Sequence, residues 1–188
     1  MQKLSDGTML YHGSYVIVDT PDLAKCAGKK DFGKGFYLTT SKEQAEGFVR
    51  ASIKKAITQG LIEETQDFGY VSVFKYHDNT ELSKYVYENA DEEWLHCIVG
   101  HRKKNIFLDV VENLKSYDII AGKIADDRTN VTITTYLLGG YGTMGTETAD
   151  KDCISRLIPE RLKDQYCFRT KEALECLSFV ESEKIWIS

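Results

Sequence analysis

Three clusters in this sequence carry residues suited to chemistry on a polar ligand. Tyr11-His12-Gly13-Ser14 ends an apolar run, and an imidazole there can donate to or accept from a ligand hydroxyl. Asp31-Phe32-Gly33-Lys34-Gly35-Phe36-Tyr37-Leu38-Thr39-Thr40 is an aromatic strand bracketed by glycines. The glycines permit close backbone approach or positive φ, and Tyr37 offers aromatic area for stacking on a flat ring. Asp164-Gln165-Tyr166-Cys167-Phe168 carries a neutral amide that hydrogen-bonds without adding charge. Residues 10–48 therefore read as most of a nucleotide pocket, completed from Gln165. Each member alone has a plainer explanation. A histidine beside an apolar run is ordinarily a structural, hydrogen-bonded residue, and an aromatic in a strand is ordinarily core. Thr39-Thr40 suits β-branched filler before a turn equally well. Gly33-Lys34-Gly35 lacks the Walker spacing and the helix offset of a phosphate loop.

The elements that must position these residues follow from local pattern. Residues 7–18 read as two short strand pieces broken at His12-Gly13-Ser14. Residues 19–22 are turn chemistry with Pro21 fixing φ, and residues 25–34 form a polar loop able to cover a ligand. Residues 35–39 make a strand. A helix over 41–59 is the most strongly signalled element. Ser41 and Gln44 predict a reciprocal capping box, and Gly60 a C-terminal stop. Ala45, Phe48, Val49, Ser52, Ile53, Ala56 and Ile57 share its inward stripe. Phe68–Tyr76 is a core strand by composition. Asn79 predicts a short helix reaching Tyr87, and Asp91 a second over 91–102 with Trp94, Leu95, Ile98 and Val99 inward. Residues 118–124 form a strand leading into Asp126-Asp127-Arg128, a turn or a pocket rim. Residues 130–138 have strand propensity, yet Asn130 and Gly139-Gly140 suit the ends of a helix, which is the reading adopted. A helix over 146–157, a strand over 165–169, a helix capped by Thr170 and a terminal strand over 178–186 complete the chain. Elements interleave without a βαβ period, so the fold class is α+β in one domain over residues 1–188.

Composition bounds the partners. The 188 residues are 42% hydrophobic and 28% charged, ordinary for a globular chain. A net charge of −5 argues against tight nonspecific binding to nucleic acid or anionic lipid, though not against a transient enzymatic encounter. Cys26, Cys97, Cys153, Cys167 and Cys176 are odd in number and lack CxxC spacing, against a disulfide framework or a zinc knuckle. His77 and His96 add no ligand spacing, so no metal is expected. Cys167 reads as a small hydrophobe, Trp94 as packing, and His101-Arg102 as a cationic helix end. Reduced thiols, no signal pattern and no apolar run of membrane length predict a cytoplasmic protein without a membrane partner.

With YHGS, FGKGFYLTT and a late QYCF, the chain resembles the ADP-ribosyltransferase superfamily, on its diphtheria-toxin-like and poly-ADP-ribose-polymerase-like side. More narrowly, it resembles the bacterial family DUF3990 over essentially its whole length. That likeness rests on YHGS, DFGKGFYLTT, Trp94 with Arg102, YDIIAGKIADD at 117–127 and DQYCFRTKEALECLSF at 164–179. The resemblance implies two small, mostly antiparallel sheets with flanking helices around an NAD cleft. It assigns NAD binding to His12, Gly13, Ser14, Gly35, Phe36, Tyr37, Thr39 and Thr40. His12 would meet a ribose hydroxyl, the Gly13 peptide the nicotinamide carboxamide, and Tyr37 the nicotinamide ring. The catalytic positions it implies are His12, Tyr37 and Gln165.

At the last of these, the relatives carry a glutamate that binds the ribose 2′-OH and stabilises positive charge at the anomeric carbon. Glutamine keeps the hydrogen bond but not the charge. Asp164 would point to the opposite strand face. Three readings stay open. Gln165 suffices for an acceptor that supplies its own base; a carboxylate from elsewhere, such as Asp126 or Asp127, enters the pocket; or the site binds NAD without turnover. The expected function is transfer of ADP-ribose from NAD to a macromolecular acceptor, protein or nucleic acid. The resemblance further implies a toxin with a cognate antitoxin, or a part in antiphage defence. The alternatives are a non-catalytic NAD or ADP-ribose binding module, and an interaction protein that keeps only the fold.

Overall fold

The computed structural model describes residues 3–125, 127–159 and 162–187, without the side chains of residues 127 and 128. In it the first strand takes in the polar cluster and ends there, and residues 15–18 form no second strand piece. β1 (Met9–Ser14) contains His12, Gly13 and Ser14, whose side chains alternate across the strand. β1 pairs antiparallel with β3 (Phe68–Tyr76), and β3 with β7 (Leu177–Trp186), giving a first sheet in the order β1-β3-β7. The second sheet has the order β2-β6-β5-β4, from Phe36–Leu38, Asp164–Phe168, Ile119–Lys123 and Lys84–Val86. Its pairs are antiparallel except β4 with β5, which is parallel. With six α-helices among the described residues, the class is α+β.

The helices are α1 (Lys42–Thr58), α2 (Glu92–Arg102), α3 (Leu108–Asn113), α4 (Asp127–Leu137), α5 (Glu147–Leu157) and α6 (Lys171–Glu175). The Ser41 hydroxyl accepts from the Gln44 N–H as a cap should, a contact that contributes about 1 kcal/mol. The return bond of the capping box is absent. Thr39 takes that role, its hydroxyl accepting from the Ser41 N–H and donating to Gln44 Oε1 at 3.3 Å. Asp91 and Thr170 cap α2 and α6 as the sequence predicts, and Thr146 caps α5.

Two further expectations change, and one helix appears that the sequence did not signal. Residues 79–87 are not a helix, because Asn79 Oδ1 holds only a turn, to the Glu81 N–H. The segment then extends as β4, with Tyr85 packed edge-on to Tyr87 and Tyr117. α3 has no cap signal; its N-cap is Phe107, in left-handed geometry at φ 48°. α4 is a helix as read, but it begins before Asn130, which is therefore interior.

One buried cluster lies between the sheets and joins them, through Leu10, Phe74 and Tyr76 from the first and Phe36, Ile119, Tyr166 and Phe168 from the second. A larger one packs the other face of the second sheet against α2, α4 and α5. A small one seats α1 on the first sheet through Ala45, Val49, Ile53 and Val71. Phe48 is not part of that buried stripe and is 37% exposed.

Candidate functional site

The two sheets touch through one pair of backbone bonds, Tyr11 N–H to Thr39 C=O at 2.8 Å and Thr39 N–H to Tyr11 C=O at 3.1 Å. Beyond this bridge β1 and β2 separate, and the predicted residues gather at the split. Backbone groups alternate edges along a strand, so the Gly13 N–H and C=O face the same edge as those of Tyr11, away from β3. The glycine's missing side chain is required by packing: a methyl there would collide with the Ala45 carbonyl of α1. The peptide edge is what Gly13 has left to offer a ligand.

His12 reaches across the split. Its Nδ1 lies 2.9 Å from the Tyr37 carbonyl, which can only accept, so Nδ1 carries the proton and Nε2 presents a lone pair. Burial lowers the imidazole pKa, the Tyr37 carbonyl opposes that shift, and Lys30 adds to it. The ring packs on Phe36 with centroids 4.5 Å apart. Phe48 is close by on α1, its Cβ 3.1 Å from where a methyl at Gly13 would sit, and it is partly exposed.

Tyr37 is half-buried. Its hydroxyl donates to the Gly33 carbonyl at 2.8 Å and accepts from the Phe32 N–H at 2.9 Å, closing the glycine loop on itself. Burial pushes this phenol well above 10, so it stays a donor. Gly33 sits at φ +79°, with the His101 ring where a side chain would go, and Gly35 lies against Cys167 and the Phe168 carbonyl. The loop is thus pinned from beneath, while Lys29, Lys30 and Lys34 stay exposed.

Gln165 lies on β6, opposite Gly122 of β5. Tyr37 pairs with Cys167, two residues on, so Tyr37 and Gln165 share a face with Cα atoms about 8 Å apart by strand geometry. Gln165 is 5% exposed, and its Nε2 donates to Asp31 Oδ2 at 2.8 Å and to the Lys123 carbonyl at 3.3 Å. No bond joins His12 to Gln165; His12 leans on Phe36, which points to the opposite face. Asp164 turns away from Gln165 and pairs with Lys123 at 2.7 Å.

The remaining predicted ligands have structural partners. Phe36 is 5% exposed in the core joining the sheets, and Thr39 supports the α1 cap by accepting from the Ser41 N–H. Ser14 Oγ accepts from the Val16 N–H, and Thr40 hydrogen-bonds Tyr166. Burial pushes the Cys167 thiol up to about 12, so it stays protonated at neutral pH. The side chains of Asp126, Asp127 and Arg128, the carboxylates and rim proposed from sequence, lie outside the described residues.

Two residues, a buried aspartate and a half-buried arginine, were not assigned to the site from sequence. Asp31 is 6% exposed, and Arg102 donates to its Oδ1 from Nε at 3.0 Å and Nη2 at 2.6 Å. Arg102, read as a cation at a helix end, instead crosses to the glycine loop and also binds the Ala125 carbonyl at 2.7 Å. The available signal was Asp31 at the head of DFGKG and Arg102 in the Trp94–Arg102 segment. Two surface hollows, of about 710 and 370 Å³, lie beside Leu137 to Met144 and between α1 and Ile187, away from this site.

A two-sheet α+β domain with a histidine, a glycine edge and an aromatic strand at the junction of the sheets is the class that fold and site define. The chain belongs to the family DUF3990, proteins of unknown function, whose model matches residues 8–179. No curated protein matches the sequence. Among the described residues, no helix is long and apolar enough to cross a membrane.

Proposed function

We propose that this chain is an NAD-dependent ADP-ribosyltransferase that modifies a macromolecular acceptor. What supports the reading is the junction of the sheets, where a neutral His12, the Gly13 peptide edge and Tyr37 come together. His12 Nε2 would accept a ribose hydroxyl, the Gly13 edge would pair with the carboxamide, and one face of Tyr37 would cover the nicotinamide. Gln165 would hold a second ribose hydroxyl through its carbonyl oxygen. Cleavage of the nicotinamide–ribose bond would then pass ADP-ribose to a protein or nucleic acid. A bacterial toxin restrained by a cognate antitoxin, or an antiphage effector, is the biological setting that suits such a domain.

A second reading is favoured by one observation, the amide at position 165: a module that binds NAD or ADP-ribose without turnover. The test is incubation of wild type and His12→Ala with labelled NAD and cell extract. Acceptor labelling and nicotinamide release above the His12→Ala control are expected. Absence of both would sink the transferase, and NAD binding by calorimetry without either product would leave the module. Nicotinamide release without labelling would mean that water is the acceptor.

A further inference from the structure

The sequence offers no glutamate at position 165, but the fold brings a carboxylate to that amide. Asp31 is fixed by four donors: Nε and Nη2 of Arg102 on Oδ1, and the Ala125 N–H at 3.0 Å with Gln165 Nε2 at 2.8 Å on Oδ2. Only an ionised carboxylate matches that set, since a protonated one would turn a donor on a donor. The consequence falls on Gln165. Asp31 Oδ2 and the Lys123 carbonyl are both acceptors, so both amide hydrogens are engaged and the two ends of the amide cannot exchange. The carbonyl oxygen Oε1 is then the group the side chain has left to present, and donation to a carboxylate makes it a stronger acceptor.

We propose that Asp31 is a positioning residue, which locks the Gln165 amide so that Oε1 receives a ribose hydroxyl of the dinucleotide. This rests on the NAD reading above. It also accounts for the amide. A glutamate at 165 would set a second buried carboxylate against Asp31, and like charges at that separation do not both ionise. Among the described residues, the carboxylate that contacts the amide at 165 is that of Asp31. The charged and titratable groups around the amide and Asp31 include, among the described residues, Arg102, His101, Cys97, the Lys123–Asp164 pair, and Tyr37 and Cys167 on the amide's own face.

The test is a double-mutant cycle on nicotinamide release, with folding checked by thermal melting. Asp31→Asn frees the amide to turn and should lower kcat on the order of tenfold. In a Gln165→Met background the same change should cost nothing further, because the residue it acts through is gone. A full Asp31→Asn loss in that background, or undiminished kcat in folded Asp31→Asn, overturns the proposal.

Gln165→Glu keeps the test decisive if Asp31→Asn does not fold. A protonated carboxyl can donate to Asp31 as the amide does, so kcat relative to wild type should fall as pH rises from 5 to 8. A ratio flat across that range would show that Asp31 does not govern position 165, and would overturn the proposal. A wild type that neither binds NAD nor releases nicotinamide ends the parent reading and this one together. An active wild type without the coupling ends only this one.

Discussion

At the scale of single residues, the two histidines at the site are held neutral by their surroundings. Burial lowers the pKa of both His12 and His101 from 6.5, and each ring has its Nδ1 proton on a backbone carbonyl, of Tyr37 and Cys97 respectively. The sign of the stability effect follows. The unfolded chain takes up these protons more readily than the folded one, so stability is intact above pH 6.5 and is lost as pH falls toward the lower folded values. The carboxylates Asp78 and Glu147, held down by Lys84 and Lys151, lie below 3.8 and 4.5 and act only at lower pH. Between pH 7 and 5 the slope therefore belongs largely to these two histidines. Urea midpoints of wild type should fall across that window, and His101→Gln should have a shallower fall. An unchanged slope would mean that His101 is protonated in the folded protein without penalty.

At the scale of elements, the pocket depends on how closely α1 lies on β1, and glycine makes that possible. A methyl on Gly13 would overlap the Ala45 carbonyl, and one on Gly69 would come within 2.6 Å of the Ser14 carbonyl. Backbone oxygens do not swing aside as a flexible side chain does. Gly13→Ala is expected to cost at least the upper end of the ~1–3 kcal/mol typical of overpacking, read as a lowered urea midpoint. A loss under 1 kcal/mol would show that α1 is free to lift. α1 was legible from the sequence because its signals are local: a cap, a 3.6-residue stripe and a terminal glycine. Phe48 was misplaced on that stripe because periodicity gives a direction, whereas the helix covers only the part of the strand it rests on. β4 was illegible for the opposite reason, since three residues are held extended by Tyr87, Tyr117 and pairing with β5 rather than by their own propensities. The site divides along the same line. His12, Gly13 and Tyr37 announce themselves through short motifs. The Asp31–Gln165 contact spans 134 residues and the Asp31–Arg102 contact 71, so no local pattern encodes either.

At the scale of the whole molecule, two sheets joined by a single backbone bridge would be two weakly coupled halves if backbone pairing were all that held them. The core between them says otherwise. Phe74 of β3 is fully buried and meets Phe36 of β2 edge-on at 5.6 Å, in the same cluster as Ile119, Tyr166 and Phe168 of the second sheet. Ordering of the split between β1 and β2 should therefore be a property of the whole domain, because opening it exposes this shared core. Amide hydrogen exchange separates the alternatives, since it reads the opening free energy of each strand independently. In Phe74→Ala the loss of the ring should cost about 3–5 kcal/mol. If the sheets unfold as one unit, the slowest-exchanging amides of β5 and β6 should lose as much protection as those of β1 and β3, although Phe74 is not on either of those two strands. Protection lost only in the first sheet would mean that the halves open separately, and that the candidate site lies on a hinge rather than within a single cooperative core.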